Sequence, residues 1–439
     1  MMSFFAAVKS VNPKHWIVGT IAVILLILLG FSLFKRISDD TYYSVSALSN
    51  TYDNTALAEV YEAPLYSAVL EEYNASGLSD PDYAGAIDYA RTNGTEVTSD
   101  DPDYGEYVSD YLTNFDENAS VYLVDSDHSV SFIHAKTAGL YCLSFDFYDL
   151  ENNIANTQFY LTVNGEVPFY EAMTLVLPAE WRFETMDFSL DRYGDEIQSG
   201  SEKIHTWRNA VVYDFNGLHP GYYCLYLEQG DVVSISYVNS DFLVGQFSYV
   251  AQESIMSYDD YLALHDGASI ANDSVTVAAR DIAYRSDPSI RLRAERDPSN
   301  IYYETRSLVL NVIYGESWDA SGQSVSYSFT VSESGYYNLS FKYRQYMVQD
   351  MSVYRKIAID GVIPYDLLYC YAFPYSNSFI NRTLSDENGD PLKVYLEAGE
   401  HTITLTAVNY PYRTTIETIQ YVMNRIQTIA LNVKKYTSG

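Results

Sequence analysis

Residues 160–169 read YLTVNGEVPF, and residues 356–365 read KIAIDGVIPY. Each is an alternating β-type run entering an Asn-Gly or Asp-Gly pair, the residues that most readily adopt the positive φ of a tight hairpin turn. The two stretches start 196 residues apart, and the punctuation around them keeps step. Gly139 to Gly165 and Gly335 to Gly361 are both 26 residues; Pro168 to Pro178 and Pro364 to Pro374 are both 10. Upstream, SVSF (129–132) matches SVSY (324–327). Downstream, YLEQGDVVSISYV (226–238) matches YLEAGEHTITLTAV (395–408). Marker residues kept in one order at matched separations signal an internal duplication.

The period inside each copy is two. In GLYCLSFDFY, Tyr141, Leu143, Phe145 and Phe147 alternate with Cys142, Ser144 and Asp146, one apolar face and one polar, as expected of a half-buried strand. GYYNLSFKY (335–343) repeats the pattern with Tyr337, Leu339, Phe341 and Tyr343. Short alternating strands between glycine turns, with no long helix, predict two tandem jelly-roll-type β-sandwiches, over 119–252 and 301–412. The copies part company once. Gly165 to Gly230 is 65 residues and Gly361 to Gly399 only 38, so copy one carries about 27 extra, which the sequence assigns to 195–223.

The flanks read differently. WIVGTIAVILLILLGFSLF (16–34) is 19 residues without a charge, long enough as a helix to cross most of a bilayer. With no small-residue cleavage site at its end, it is expected to be an uncleaved transmembrane anchor. Residues 1–15 then form a cytoplasmic tail, and the acidic bulk lies outside the cell membrane. Residues 35–118 read as an acidic stalk with helical pieces at 57–73 and 83–91. Residues 253–300 are a linker with lead-in strands, including a short helix at 257–267. Ile416, Ile419, Met423, Ile426, Ile429 and Val433 make one apolar stripe, predicting an amphipathic helix over 413–439.

Composition excludes some functions. With 58 acids against 26 Lys and Arg, a net charge of −32, the chain lacks the clustered cations that release counterions from nucleic acid. Cys142, Cys224 and Cys370 are too few for a disulfide scaffold. The first two fall in one copy and allow either one bridge or plain thiols. No nucleophile elbow, zinc-binding helix, phosphate loop or paired C-x-x-C is present, and the seven histidines are scattered, so the sequence predicts no enzyme and no cofactor. Asp386, Asn388, Asp390 and Glu397 echo a calcium loop, but Pro391 stands where that loop needs glycine. The pattern reads as an acidic turn, with structural calcium as the alternative.

Sugar recognition needs an aromatic face and planar polar groups beside it. Trp181, Trp207 with Arg208, and Trp318 supply such combinations, as do Arg344 and Tyr346 just past a strand. Trp207 and Arg208 lie in the extra residues of copy one. That placement makes copy one the expected ligand face, with Trp207 as a plug over the core the competing account.

The run G-x-Y-x-L-S-F, I-D-G-x-I-P-Y, L-S-D-E-N-G-D-P (384–391) and Y-L-E-A-G-E-H-T-I-T-L resembles a known arrangement. It is similar to the tandem galactose-binding-like sandwiches that precede the solute-binding domain in sugar ABC-transporter proteins of Gram-positive bacteria. The likeness covers about 120–439 and omits the solute-binding domain. It implies an extracytoplasmic, carbohydrate-related role, with glycan, membrane and a transport or other surface protein as partners. The alternative is a non-catalytic stalk or protein-docking module.

Overall fold

The computed structural model describes residues 63–78, 84–88, 91–252 and 255–437. The expected tail and transmembrane anchor lie outside these residues. Among the described residues, no helix is long and apolar enough to cross a membrane.

The chain is mainly β, in two units. In the first, helix α1 (Tyr66–Ala75) leads to short strands β1 (Gly85–Ala86), β2 (Thr92–Asn93) and β3 (Thr95–Val97), then helix α2 (Gly105–Asn114). The longer strands follow: β4 (Val121–Val124), β5 (Val130–Ile133), β6 (Gly139–Asp149), β7 (Thr157–Val163) and β8 (Leu175–Leu177). One sheet runs β2-β5-β15-β7-β8, where β15 is Val232–Tyr237. The facing sheet runs β13-β6-β16-β4-β3, where β13 is Arg208–Val211 and β16 is Phe242–Val250; β14 (Cys224–Leu227) also pairs with β6. Phe145 of one sheet meets Phe159 of the other edge-on at 5.4 Å, within a core that also holds Leu161, Ile235, Phe242 and Phe247.

Two expectations need correction here. β6 is not half-buried. Cys142 and Ser144 on its outer face are at 0% and 1% exposure, because helices cover that face as well. Nor is 85–118 a stalk. Gly85 and Ala86 pair with β16 instead of continuing a helix, and α2 packs Val108 and Tyr111 against Leu123, Trp207 and Leu243. The Tyr111 hydroxyl donates to Asp146 (2.6 Å) and accepts from the Gln246 amide (2.9 Å). A Cβ on Gly245 would stand 2.5 Å from that hydroxyl, so only glycine lets α2 approach so closely. Cys142 and Cys224 face each other across β6 and β14 with Sγ atoms 2.8 Å apart and no disulfide.

The second unit repeats the first. After α3 (Tyr258–Leu264), capped by Ser257 accepting the Asp260 amide, come β17 (Tyr284–Arg285), β18 (Leu292–Ala294), β19 (Leu310–Ile313) and β20 (Ser324–Val331). Then follow β21 (Gly335–Asn338), β22 (Ser340–Gln345), β23 (Val353–Ile359), β24 (Tyr371–Phe373), β25 (Ser376–Thr383), β26 (Lys393–Leu396) and β27 (Gly399–Val408). The order β20-β27-β23-β24 reproduces β5-β15-β7-β8. Strands β25 and β26 flank β22 and β21 as β13 and β14 flank β6, and the β18-β19 pair mirrors β3-β4. The repeated turn is the same object twice: Asn164 and Gly165 at φ 53 and 85, Asp360 and Gly361 at φ 51 and 79.

The extra residues of copy one lie upstream of their expected place. Thirty residues (178–207) separate β8 from β13, against two (374 and 375) between β24 and β25. They form a strap: β9 (Trp181–Phe183), β10 (Ser189–Leu190), β11 (Glu196–Ile197) and β12 (Ser201–Lys203). The strap leaves its own unit and joins the other. β9 pairs with β17 and β12 with β9, extending the second unit's sheet to β12-β9-β17-β20-β27-β23-β24. Arg285 secures it. At 1% exposure, its guanidinium donates to the Ile290 carbonyl (2.6 Å) and Ser201 Oγ (2.5 Å) and lies 3.8 Å over the Phe183 ring.

Helix α4 (Arg413–Thr437) ends the described chain. It leaves the second unit with Ile419, Val422, Met423, Ile426 and Ile429 exposed.

Candidate ligand-binding site

Among the described residues, the second unit has no counterpart of β16. Both copies reach Val-Asn at the end of the matching strand (Val238-Asn239 and Val408-Asn409). The first then enters β16, while Tyr410-Pro411-Tyr412 makes a single turn and starts α4. Between β22 and β19 a cavity of about 1120 Å³ remains, reaching Trp318 and Arg355 at one end and Tyr346 and Phe379 at its rim.

Two aromatic–guanidinium pairs line it. Phe341 and Tyr343 meet Phe373 of the opposite sheet edge-on at 5.9 and 5.0 Å, so they point inward. By alternation Lys342 and Arg344 point outward. Arg344 lies 4.7 Å over Tyr346 and 4.6 Å over Phe379, with Glu295 at 2.7 Å holding its position. Lys342 reaches Asp297 at 3.1 Å. Hydrogen bonds from Ser299, together with Lys342, hold the Asp297 carboxyl down at about 2. Tyr346 itself is 37% exposed, which leaves ring surface open beside the guanidinium. At the inner end the Arg355 guanidinium lies 4.3 Å over Trp318, whose indole N–H donates to the Gln323 carbonyl (3.1 Å). Burial draws Arg355 down to about 10. Its guanidinium donates to the Tyr354 carbonyl at 2.9 Å.

Three of the six sequence-selected residues, Trp318, Arg344 and Tyr346, therefore line one cavity. The other three do not. Trp207 is 4% exposed, packed between Tyr111 (4.3 Å) and Tyr148 (5.6 Å), with its indole N–H donating to the Tyr107 carbonyl. Arg208 starts β13, 4.9 Å over Phe147 and 3.7 Å from Glu180. Trp181, 4% exposed, is in the strap with Lys203 Nζ 5.9 Å from its ring. The cavity thus sits in copy two, opposite to the expected ligand face. Arg355 and Phe379 were not singled out from the sequence. Arg355 had a signal: the 196-residue offset between the copies sets it against Phe159 of copy one, a cation where the core expects a phenyl ring.

At the acidic turn, Asp386 Oδ1 accepts from the amides of Asn388 and Asp390, both at 2.9 Å. These bonds hold its carboxyl below the usual range. Among the described residues, no group of three or more His, Cys, Asp or Glu is placed to hold a metal ion.

Fold and cavity together define a mainly β protein of two matching units, one closed and one open along a flank. No protein family and no curated protein matches the chain. Among solved structures, it superposes on the catalytic unit of a GH87 alpha-1,3-glucanase from Streptomyces thermodiastaticus (15% identity, TM-score 0.23, 44% of this chain and 30% of that one). It also superposes on a Paenibacillus xanthan lyase (10%, TM-score 0.20, 66% and 23%). A third is the CBM22-1–CBM22-2 tandem of Paenibacillus barcinonensis Xyn10C (8%, TM-score 0.15, 76% and 90%). The chain spans less than a third of the first two. TM-scores this low carry no argument about fold or function.

Proposed function

We propose that the protein is a non-catalytic, extracytoplasmic glycan-binding protein, held at the cell membrane by residues 16–34 and accessory to capture or transport of sugar. Its two units are galactose-binding-like sandwiches, and the second carries the ligand. The observation that supports this reading is the rim of the cavity, where Tyr346 keeps open ring surface beside Arg344 and Phe379. An aromatic face takes the C–H side of a sugar ring, and a planar guanidinium bonds neighbouring hydroxyls in the same plane. A spacer protein has no need of such a pairing. The reading predicts a saturable signal on a glycan array for the full chain. Tyr346→Ala should weaken it about five- to tenfold with an unchanged melting temperature, since stacking of this kind contributes about 1–1.5 kcal/mol and orients the ring. An array with no signal above background for the folded chain refutes it.

A further inference from the structure

The first unit shows what the described residues do not supply to the second. There, β16 lies between β6 and β4, antiparallel to both, and closes the sheet. The residues that match β6 and β4 are β22 and β19, and the cavity separates them. Burial records the loss. Phe145 and Phe147 are at 0% and 1% exposure, while their equivalents Phe341 and Tyr343 are only half-buried. Around the opening Met347, Val348 and Met351 are 59%, 40% and 44% exposed. Two strand edges facing each other across an apolar gap form a template for a further strand.

The chemistry of the occupant can be read from the same comparison. In the first unit Phe159 packs on Phe242, the first residue of β16, with ring centroids 6.4 Å apart. In the second unit Arg355 occupies the position of Phe159. It faces the core side of β23, as Ile357 and Ile359 do. Among the described residues Arg355 meets the Tyr354 carbonyl and the Trp318 ring and no carboxylate within ion-pair distance, in a chain of net charge −32. A cation drawn down by burial at that point favours a carboxylate opposite it. We infer that the second unit accepts one β-strand from a partner polypeptide: an extended apolar segment, antiparallel to β22 and β19, that begins with an acidic residue over Arg355. The inference is independent of the glycan reading, because the strand lies in the plane of the sheet and Tyr346 with Arg344 lies on its outer face.

The test uses the full 439-residue chain and two synthetic nonapeptides. One carries the sequence of β16, FLVGQFSYV, and the other has Glu in place of its first Phe; a scrambled peptide is the control. Saturable binding is expected, with slowed hydrogen exchange at Ser340–Gln345 and Leu310–Ile313 and none gained in the first unit. The Glu peptide should bind about tenfold tighter, as for a charge-assisted contact out of water, and Arg355→Gln should abolish that advantage. A folded chain that shows no added protection overturns the proposal. So does a chain whose two edges already exchange slowly without peptide and speed up when residues 1–62 are removed, since its own segment then fills the slot. Tyr346→Ala leaves peptide binding intact if the strand reading holds, whatever it does to glycan.

Discussion

Replacing Arg285 by alanine should release the strap from the second unit. The guanidinium donates two hydrogen bonds, to Ile290 and Ser201, and charged donors of this kind contribute about 1.5–3 kcal/mol each. Its place over Phe183 adds about 2 kcal/mol in a site without water. Against this, burial draws its pKa down to about 10, a loss of hydration worth about 3 kcal/mol. The balance favours the native arrangement by about 2–5 kcal/mol, and alanine also leaves two buried acceptors without donors. Opening of the strap should therefore become about 400-fold more frequent at the midpoint of that range. Native-state hydrogen exchange reads this directly at the amides of Trp181–Phe183 and Glu196–Ile197. Calorimetry of the unaltered protein should show one cooperative transition, because neither unit can unfold without breaking the shared sheet. Exchange at those amides changed by less than about threefold would refute the reasoning, as would two well-separated transitions in the parent chain.

Trp207→Ala should destabilise the first unit by about 3–5 kcal/mol, the usual cost of emptying a buried aromatic site, without changing any ligand affinity; loss of binding at constant stability would overturn its role as core. The junction of the units should show opposed pH dependences. His219, 3.8 Å from Glu171 and 3.6 Å from Glu417, has its pKa lowered to about 4 by burial and Arg413. Glu171 has its pKa raised to about 7, by burial first and by Asp214 and Glu417 after it. The raised carboxyl makes the folded state bind the extra proton, so its contribution is present below about 4.5 and is lost as pH rises to about 7. The depressed imidazole contributes above about 6.5 and is lost as pH falls to about 4. Denaturant titrations should thus show Glu171→Gln leaving stability that rises between pH 4 and 6.5, and His219→Asn leaving stability that falls between pH 4.5 and 7. Identical profiles for the two variants would exclude this assignment.

The duplication was legible because glycine and proline positions are set by backbone geometry, which local residues encode. Asn164-Gly165 and Asp360-Gly361 both adopt positive φ, as their side chains allow and few others do. Strand pairing has no such local code. Trp181-Arg182-Phe183 looks like any alternating triplet, and nothing near it in sequence says that it pairs with Arg285, over a hundred residues away. Trp207-Arg208-Asn209 read as a polar, aromatic loop. It is the start of a strand covered by α2, and the cover comes from residues read as stalk. The ligand cavity was half legible. Trp318, Arg344 and Tyr346 stood out as exposed types in plausible places, but their convergence depends on a strand that the described residues do not supply to the second unit. That absence is visible only when FLVGQFSYV after Val238-Asn239 is set against YPYRTTIET after Val408-Asn409.

The strap also has a consequence for synthesis on the ribosome. Its last strand ends at Lys203, yet the sheet it joins is not available until β20 is complete at Val331. At roughly 5–20 residues per second, the intervening chain takes on the order of 6–25 seconds to emerge. During that time the first unit can close while its strap waits with bare strand edges. Cutting a gene between the units would make the wait permanent. A fragment ending near residue 252 would carry an unpaired hairpin, and one beginning there would expose the edge of β17. Both should aggregate where the whole chain does not.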